Sequence, residues 1–126
     1  MNVMSPTVLN IDDSSDDVLL MRIACRGANV SFKFQAVDNG DEAIAYLQGT
    51  NQFADRNEFP MPNLILLDLN MPGKSGFDVL TWIRSQQNFQ HLPIVIFTSS
   101  VHVKDRTRAF ELGAQQFVVK PVSYLE

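Results

Sequence analysis

Five short apolar runs, at 7–11, 32–37, 64–69, 93–98 and 116–119, alternate along the chain with helical patterns, and this alternation constrains the fold more than any other feature. A repeated strand–helix order calls for a parallel sheet with helices on both faces, joined by right-handed crossovers. Three of the runs are apolar without alternation, as strands covered on both faces should be. The helical stretches fall at 15–26, where Val18, Met21 and Cys25 form a stripe beside Leu20 and Ala24, and at 41–48, where Ala43, Ile44 and Leu47 do so. Two more fall at 77–84, with Phe77, Leu80 and Ile83, and at 104–112, with Ala109 and Leu112. Gly27, Gly49 and Gly113 stand where three of these patterns end, as stop signals. A fifth helix barely begins at 123–126.

A length of 126 residues suits one domain, 1–126, with a core able to stand alone. The net charge is −4 and the ten Lys and Arg are scattered singly, which argues against a nucleic-acid surface. No apolar run approaches the roughly 18 residues of a membrane span, and no basic-then-apolar N-terminus suggests a signal peptide. With a single cysteine, Cys25, no intrachain disulfide forms, and a cytoplasmic location is the default expectation. His91 and His102 lack a ligand partner at suitable spacing and read as surface residues, and Trp82 reads as helix packing. The connection 49–62 is long for its type and lies at the amino edge of such a sheet, away from chemistry; it reads as a lengthened helix end or a partner surface.

The chemistry gathers at the other edge. The first strand ends at Asp12 and Asp13, the third at Asp68, the fourth at Thr98 and the fifth at Lys120. In an open parallel sheet these positions share the carboxyl edge, where ligands bind. Two carboxylates about 4 Å apart repel by roughly 4 kcal/mol at an effective dielectric near 20, so either something positive is expected there or the cluster is well solvated. Oxygen-only ligation without His or Cys selects a hard ion, Mg²⁺ above all. Asp16 and Asp17 fall in a first helical turn, where they read as dipole-complementing and solvated. Asn10 sits inside the first strand, an amide that must find partners.

The acidic pair Asp12-Asp13, "LDLNMPGKSG" around Asp68, "IVIFTSS" with Thr98 and "GAQQFVVKP" with Lys120 together resemble the receiver domains of two-component response regulators. The long loop before "PNLILLDLNMP" is also similar to small stand-alone receivers that partner phytochrome-type histidine kinases. The resemblance implies a flavodoxin-like, doubly wound α/β fold with five parallel strands in order 2-1-3-4-5, here with the fifth helix truncated or missing. It implies that Asp68 is the phosphoacceptor, taking a phosphoryl group from a phosphohistidine. Asp12, Asp13 and Asp68, with the backbone carbonyl of Asn70, would hold Mg²⁺. Lys120 would pair with the phosphoryl oxygens, Thr98 would swing to bond one of them, and Phe117 would change burial as Thr98 moves. Lys120-Pro121 would be a cis peptide.

The implied partners are a sensor histidine kinase or phosphotransfer protein and a downstream protein target, with homodimerisation an option and neither nucleic acid nor membrane involved. The chain would catalyse only its own phosphorylation and slow dephosphorylation. An Mg²⁺-dependent aspartyl-phosphate hydrolase is the enzyme rival, but such enzymes carry a second acid two residues after the nucleophile, where this chain has Asn70. A phosphorylation-independent interaction module is the third possibility. A fifth helix of at most one turn would leave the sheet face near Val118 or Val119 uncovered, as in a shortened chain or one covered by a partner, and would favour self-association.

Overall fold

The computed structural model describes residues 5–28 and 31–121. Its elements run β1 (Thr7–Ile11), α1 (Ser15–Arg26), β2 (Lys33–Val37), α2 (Gly40–Gln48), β3 (Leu64–Leu67), α3 (Gly76–Ser85), β4 (Ile94–Thr98), α4 (Val103–Glu111) and β5 (Gln116–Val119), with 3-10 turns at Asn51–Phe53 and Gln87–Phe89. All pairings are parallel and the strand order is 2-1-3-4-5, the flavodoxin-like arrangement expected. The helices begin where polar side chains satisfy otherwise orphaned N–H groups. Ser14 accepts from Asp17 N, Asn39 accepts from Glu42 N, and Ser75 forms a reciprocal capping box with Asp78. Gly49 closes α2 in the left-handed conformation at φ 69°, which a side chain would disfavour.

Alternate residues of the three central strands, Leu9 and Ile11, Ile65 and Leu67, Ile94 and Ile96, are fully buried. They share one core with Ala43, Tyr46 and Leu47 of α2 and Val79, Leu80 and Ile83 of α3. On the other face β1 is buried throughout, whereas Leu66, Val95 and Phe97 of β3 and β4 are half-buried, and α1 has no fully buried residue. Val118 and Val119 are 44% and 43% exposed, in line with the uncovered sheet face anticipated there. Among the described residues no helix follows β5, and the start of a fifth helix at 123–126 lies outside them.

Connection 49–62 is a packed cap rather than a plain extension of α2. Phe53 is buried, and its ring meets those of Tyr46 and Phe59 with centroids 5.1 Å away in each case. Arg56 donates to the carbonyls of Tyr46 (2.7 Å), Leu47 (2.9 Å) and Phe59 (3.2 Å), satisfying the C-terminal end of α2 from a residue beyond it. Asn63 N donates to Thr7 O, so the connection rejoins the sheet at its amino edge.

Candidate functional site

Parallel pairing sets the site. Asp12 N donates to Val37 O at 3.1 Å and Asp68 N donates to Ile11 O at 3.0 Å, so both aspartates extend the sheet by one further rung. Lys120 N likewise donates to Thr98 O at 2.7 Å. The carboxyl ends of β2, β1 and β3 are thus tied by backbone bonds, as are those of β4 and β5, and β3 pairs with β4 through Leu67 and Ile96, so the next side chains share one edge.

Lys120 occupies the middle. Its side chain is 7% exposed, and Nζ donates to Asp12 Oδ2 at 2.7 Å, Asp17 Oδ2 at 2.8 Å and Asp68 Oδ2 at 3.1 Å. The remaining oxygens of the two buried aspartates face backbone donors: Asp12 Oδ1 accepts from Ser14 N at 2.9 Å and Asp68 Oδ1 from Asn70 N at 3.3 Å. Burial pushes the Asp12 carboxyl above its ordinary value, with the Asp68 charge adding to it, against the hydrogen bonds from Lys120 and Ser14. Burial would lower the Lys120 ammonium. The hydrogen bonds to Asp12 and Asp17 and the charges of Asp68 and Asp12 outweigh that and hold it well above its ordinary value.

Asp12, Asp13 and Asp68 each offer a carboxylate oxygen, all within 4.8 Å of one another. Asp13 is exposed whereas Asp12 and Asp68 are buried, so the cluster opens to solvent on one side. Three hard oxygen donors with access from water fit a divalent cation such as Mg²⁺. Lys120 supplies one positive charge to the three of them and Asp17, which leaves excess negative charge for a cation to balance.

Thr98 is fully buried at the end of β4, and its Oγ1 accepts from Ser100 N at 3.3 Å. Ser100 Oγ in turn donates to Asp105 Oδ2 at 2.6 Å, tying the strand end to α4. Phe117 is half-buried beside Ile96 in register, packed against the core. Asn70 is exposed, two residues past Asp68. His91 and His102 are exposed, and Trp82 packs on Phe89 at the far end of α3 with centroids 6.2 Å apart. Asn10 is 2% exposed, between Ala36 and Leu66 in register.

Two expectations need correction. Asp17 does more than complement the α1 dipole, because it is one of three carboxylates on Lys120. The Lys120-Pro121 bond is not cis, for the described residues contain no cis peptide. A proline amide only narrows the trans preference, and the trans chain already delivers Nζ to its carboxylates.

A second glycine shapes the site through proximity rather than dihedral freedom. Gly76 opens α3 against the backbone that carries Asp68: a Cβ there would overlap the Asp68 carbonyl oxygen and reach within 2.7 Å of Leu69 Cα. Gly76 N also donates to Leu69 O at 3.0 Å, closing the "LDLNMPGKSG" turn upon itself.

Fold and site together define a receiver-type α/β domain, a doubly wound sheet with an acidic cluster and a lysine at its carboxyl edge. The chain belongs to the response regulator receiver domain family, whose model matches residues 8–126. It is 30% identical over 113 residues to the response regulator Rcp1 of Synechocystis sp., covering 90% of this chain and 75% of that protein. The Mn²⁺-bound form of Rcp1 superimposes with a TM-score of 0.85, at 29% identity over 94% of this chain and 83% of that one. The phosphorylated cyanobacterial phytochrome response regulator RcpA gives a TM-score of 0.88, at 28% identity over 96% of this chain and 84% of that one. A probable cyclic di-GMP phosphodiesterase of Vibrio cholerae is 32% identical over 117 residues, which span 93% of this chain but only 24% of that protein. No helix among the described residues is long and apolar enough to cross a membrane.

Proposed function

We propose that this chain is the phosphoacceptor switch of a two-component phosphorelay, a single receiver domain over 1–126 in which Asp68 takes a phosphoryl group from the phosphohistidine of a kinase. An Asp68 oxygen forms the new P–O bond as the P–N bond breaks, and the bonding pair leaves with the imidazole nitrogen. A carboxylate is a weak nucleophile, so the acceleration comes from positioning and from neutralising the phosphoryl oxygens. Asp68 is positioned by its backbone bond to β1 and by Asn70 N, which donates to its Oδ1. Lys120 supplies an ammonium already among the carboxylates. Asp12, Asp13 and Asp68, with the Asn70 carbonyl, would hold Mg²⁺, which when bound neutralises charge on the transferring group. Thr98 and Phe117 are the residues we assign to the conformational response.

The observation that carries this reading is the convergence of Asp12 and Asp68, from the ends of two strands, on the ammonium of Lys120 at the end of a third. Relatives described as phosphorylated and as Mn²⁺-bound support it. RcpA, described as a phytochrome response regulator, supports a phytochrome-type histidine kinase as donor, and a protein target downstream completes the proposed relay. Asn70 offers no titratable acid, which disfavours a hydrolase; a cytoplasmic protein that acts on itself alone, without contacting nucleic acid or membrane, is the corresponding cellular role. Incubation with phosphoramidate should give acid-labile phosphate that requires Mg²⁺ and is absent from Asp68→Asn. Equal labelling in EDTA, or in Asp68→Asn, overturns the assignment. Trapping with beryllofluoride followed by sedimentation tests whether the switched form dimerises.

A further inference from the structure

We propose that Asp17 is a positioning residue of this site: it holds Lys120 in the unphosphorylated chain and is the partner that Lys120 releases when a phosphoryl group arrives. The inference rests on the phosphoacceptor assignment and deepens it.

An ammonium has three N–H donors, and here all three are taken, by Asp12, Asp17 and Asp68. A phosphoryl group on Asp68 brings new acceptor oxygens to the same place, so one existing bond must open. Asp12 is the poor choice. Its side chain is 2% exposed, and losing the ammonium would leave a buried charge with only a bound cation to balance it. Asp68 becomes the acyl phosphate and, with the new phosphoryl oxygens, keeps its place beside the ammonium. Asp17 is 28% exposed and stands in the first turn of α1, where water and the helix dipole can take over its charge. It is therefore the bond that opens at least cost. Until it opens it restrains Lys120 and sets a fourth negative charge beside the incoming group. Both effects slow phosphorylation.

The test compares Asp17→Ala, Asp17→Asn and Asp17→Glu with the parent chain, using phosphoramidate as donor at saturating Mg²⁺. Asp17→Ala should raise the labelling rate at saturating donor about fivefold, the worth of one partly solvated charge-assisted bond. The donor concentration at half-saturation should change less than twofold. Asp17→Asn, which keeps a neutral acceptor, should give a smaller rise, and Asp17→Glu should return the rate towards that of the parent. A residue that merely supports α1 would lower the rate when removed, and Glu would not reverse a gain. The Lys120 ammonium resonance in metal-free protein gives a second measurement: its hydrogen exchange should accelerate in Asp17→Ala. Parent-like or slower labelling by Asp17→Ala, with Asp68 still required, overturns the role of Asp17 and leaves the phosphoacceptor assignment standing. Labelling that survives Asp68→Asn overturns the assignment itself.

Discussion

Replacing Lys120 by Met keeps much of the side-chain volume and removes the ammonium, which isolates the charge. Three carboxylates then lose their shared partner, but they do not suffer equally. Asp17 is 28% exposed and turns to water, whereas the Asp12 and Asp68 side chains are 2% and 7% exposed. Removing one partner of a buried pair typically costs 3–5 kcal/mol, and with an open side to the cluster we take the lower end, about 3 kcal/mol at neutral pH. At a urea dependence of about 1.5 kcal/mol/M that lowers the unfolding midpoint by about 2 M. The origin of the loss can be checked by pH. Asp12 has a folded-state value raised by burial, so its ionised form costs stability as pH rises above the unfolded value of 3.8. Without Lys120 that cost grows, and the difference between parent and variant should shrink as pH falls through the carboxylate range in metal-free buffer. In the parent, the raised value of Lys120 keeps its pairing fully stabilising below 10.5, to be lost as pH climbs through the folded value. Lys120→Met combined with Asp12→Asn should recover more than half of the loss. A midpoint shift under about 0.5 M, or a loss that does not depend on pH, would show that water rather than Lys120 compensates these carboxylates.

Gly76→Ala should destabilise by about 1–3 kcal/mol in urea titration and cut Asp68 labelling as well, because its Cβ must displace the Asp68–Leu69 backbone; a neutral result would mean that α3 can slide. Asp13→Ala should abolish phosphorylation while the fold stays intact or gains stability, since a like-charge neighbour is removed; far-UV circular dichroism with labelling checks both. Tyr46 is buried and its hydroxyl donates to Pro60 O at 2.8 Å; burial, against the lowering charge of Arg56, pushes it up to about 12 from 10.0. The unfolded chain therefore ionises first, stability falls as pH rises from 10 towards 12, and Tyr46→Phe should flatten that fall by up to about 3 kcal/mol in alkaline urea titrations.

The order of elements and the edge on which the chemistry lies are properties of the sequence alone. Apolar runs and helical stripes are short-range signals, and the boundaries of β1, α1 and β5 match the expected 7–11, 15–26 and 116–119. Once the strands are parallel, their carboxyl ends share an edge whatever the details of packing, so Asp12, Asp13, Asp68, Thr98 and Lys120 could be brought together without coordinates. Three features needed the tertiary structure. Asp17 and Lys120 are 103 residues apart, and the first turn of a helix is a sufficient local explanation for an aspartate, so nothing in the local pattern names its partner. Gly76 has an ordinary backbone conformation, and its requirement comes only from how closely α3 approaches Asp68. Connection 49–62 has no periodicity, because its order comes from Arg56 reaching back to α2 and from rings that meet across several turns of chain. Periodic patterns report which face a residue takes within its own element, while these contacts depend on where the crossovers set one element against another.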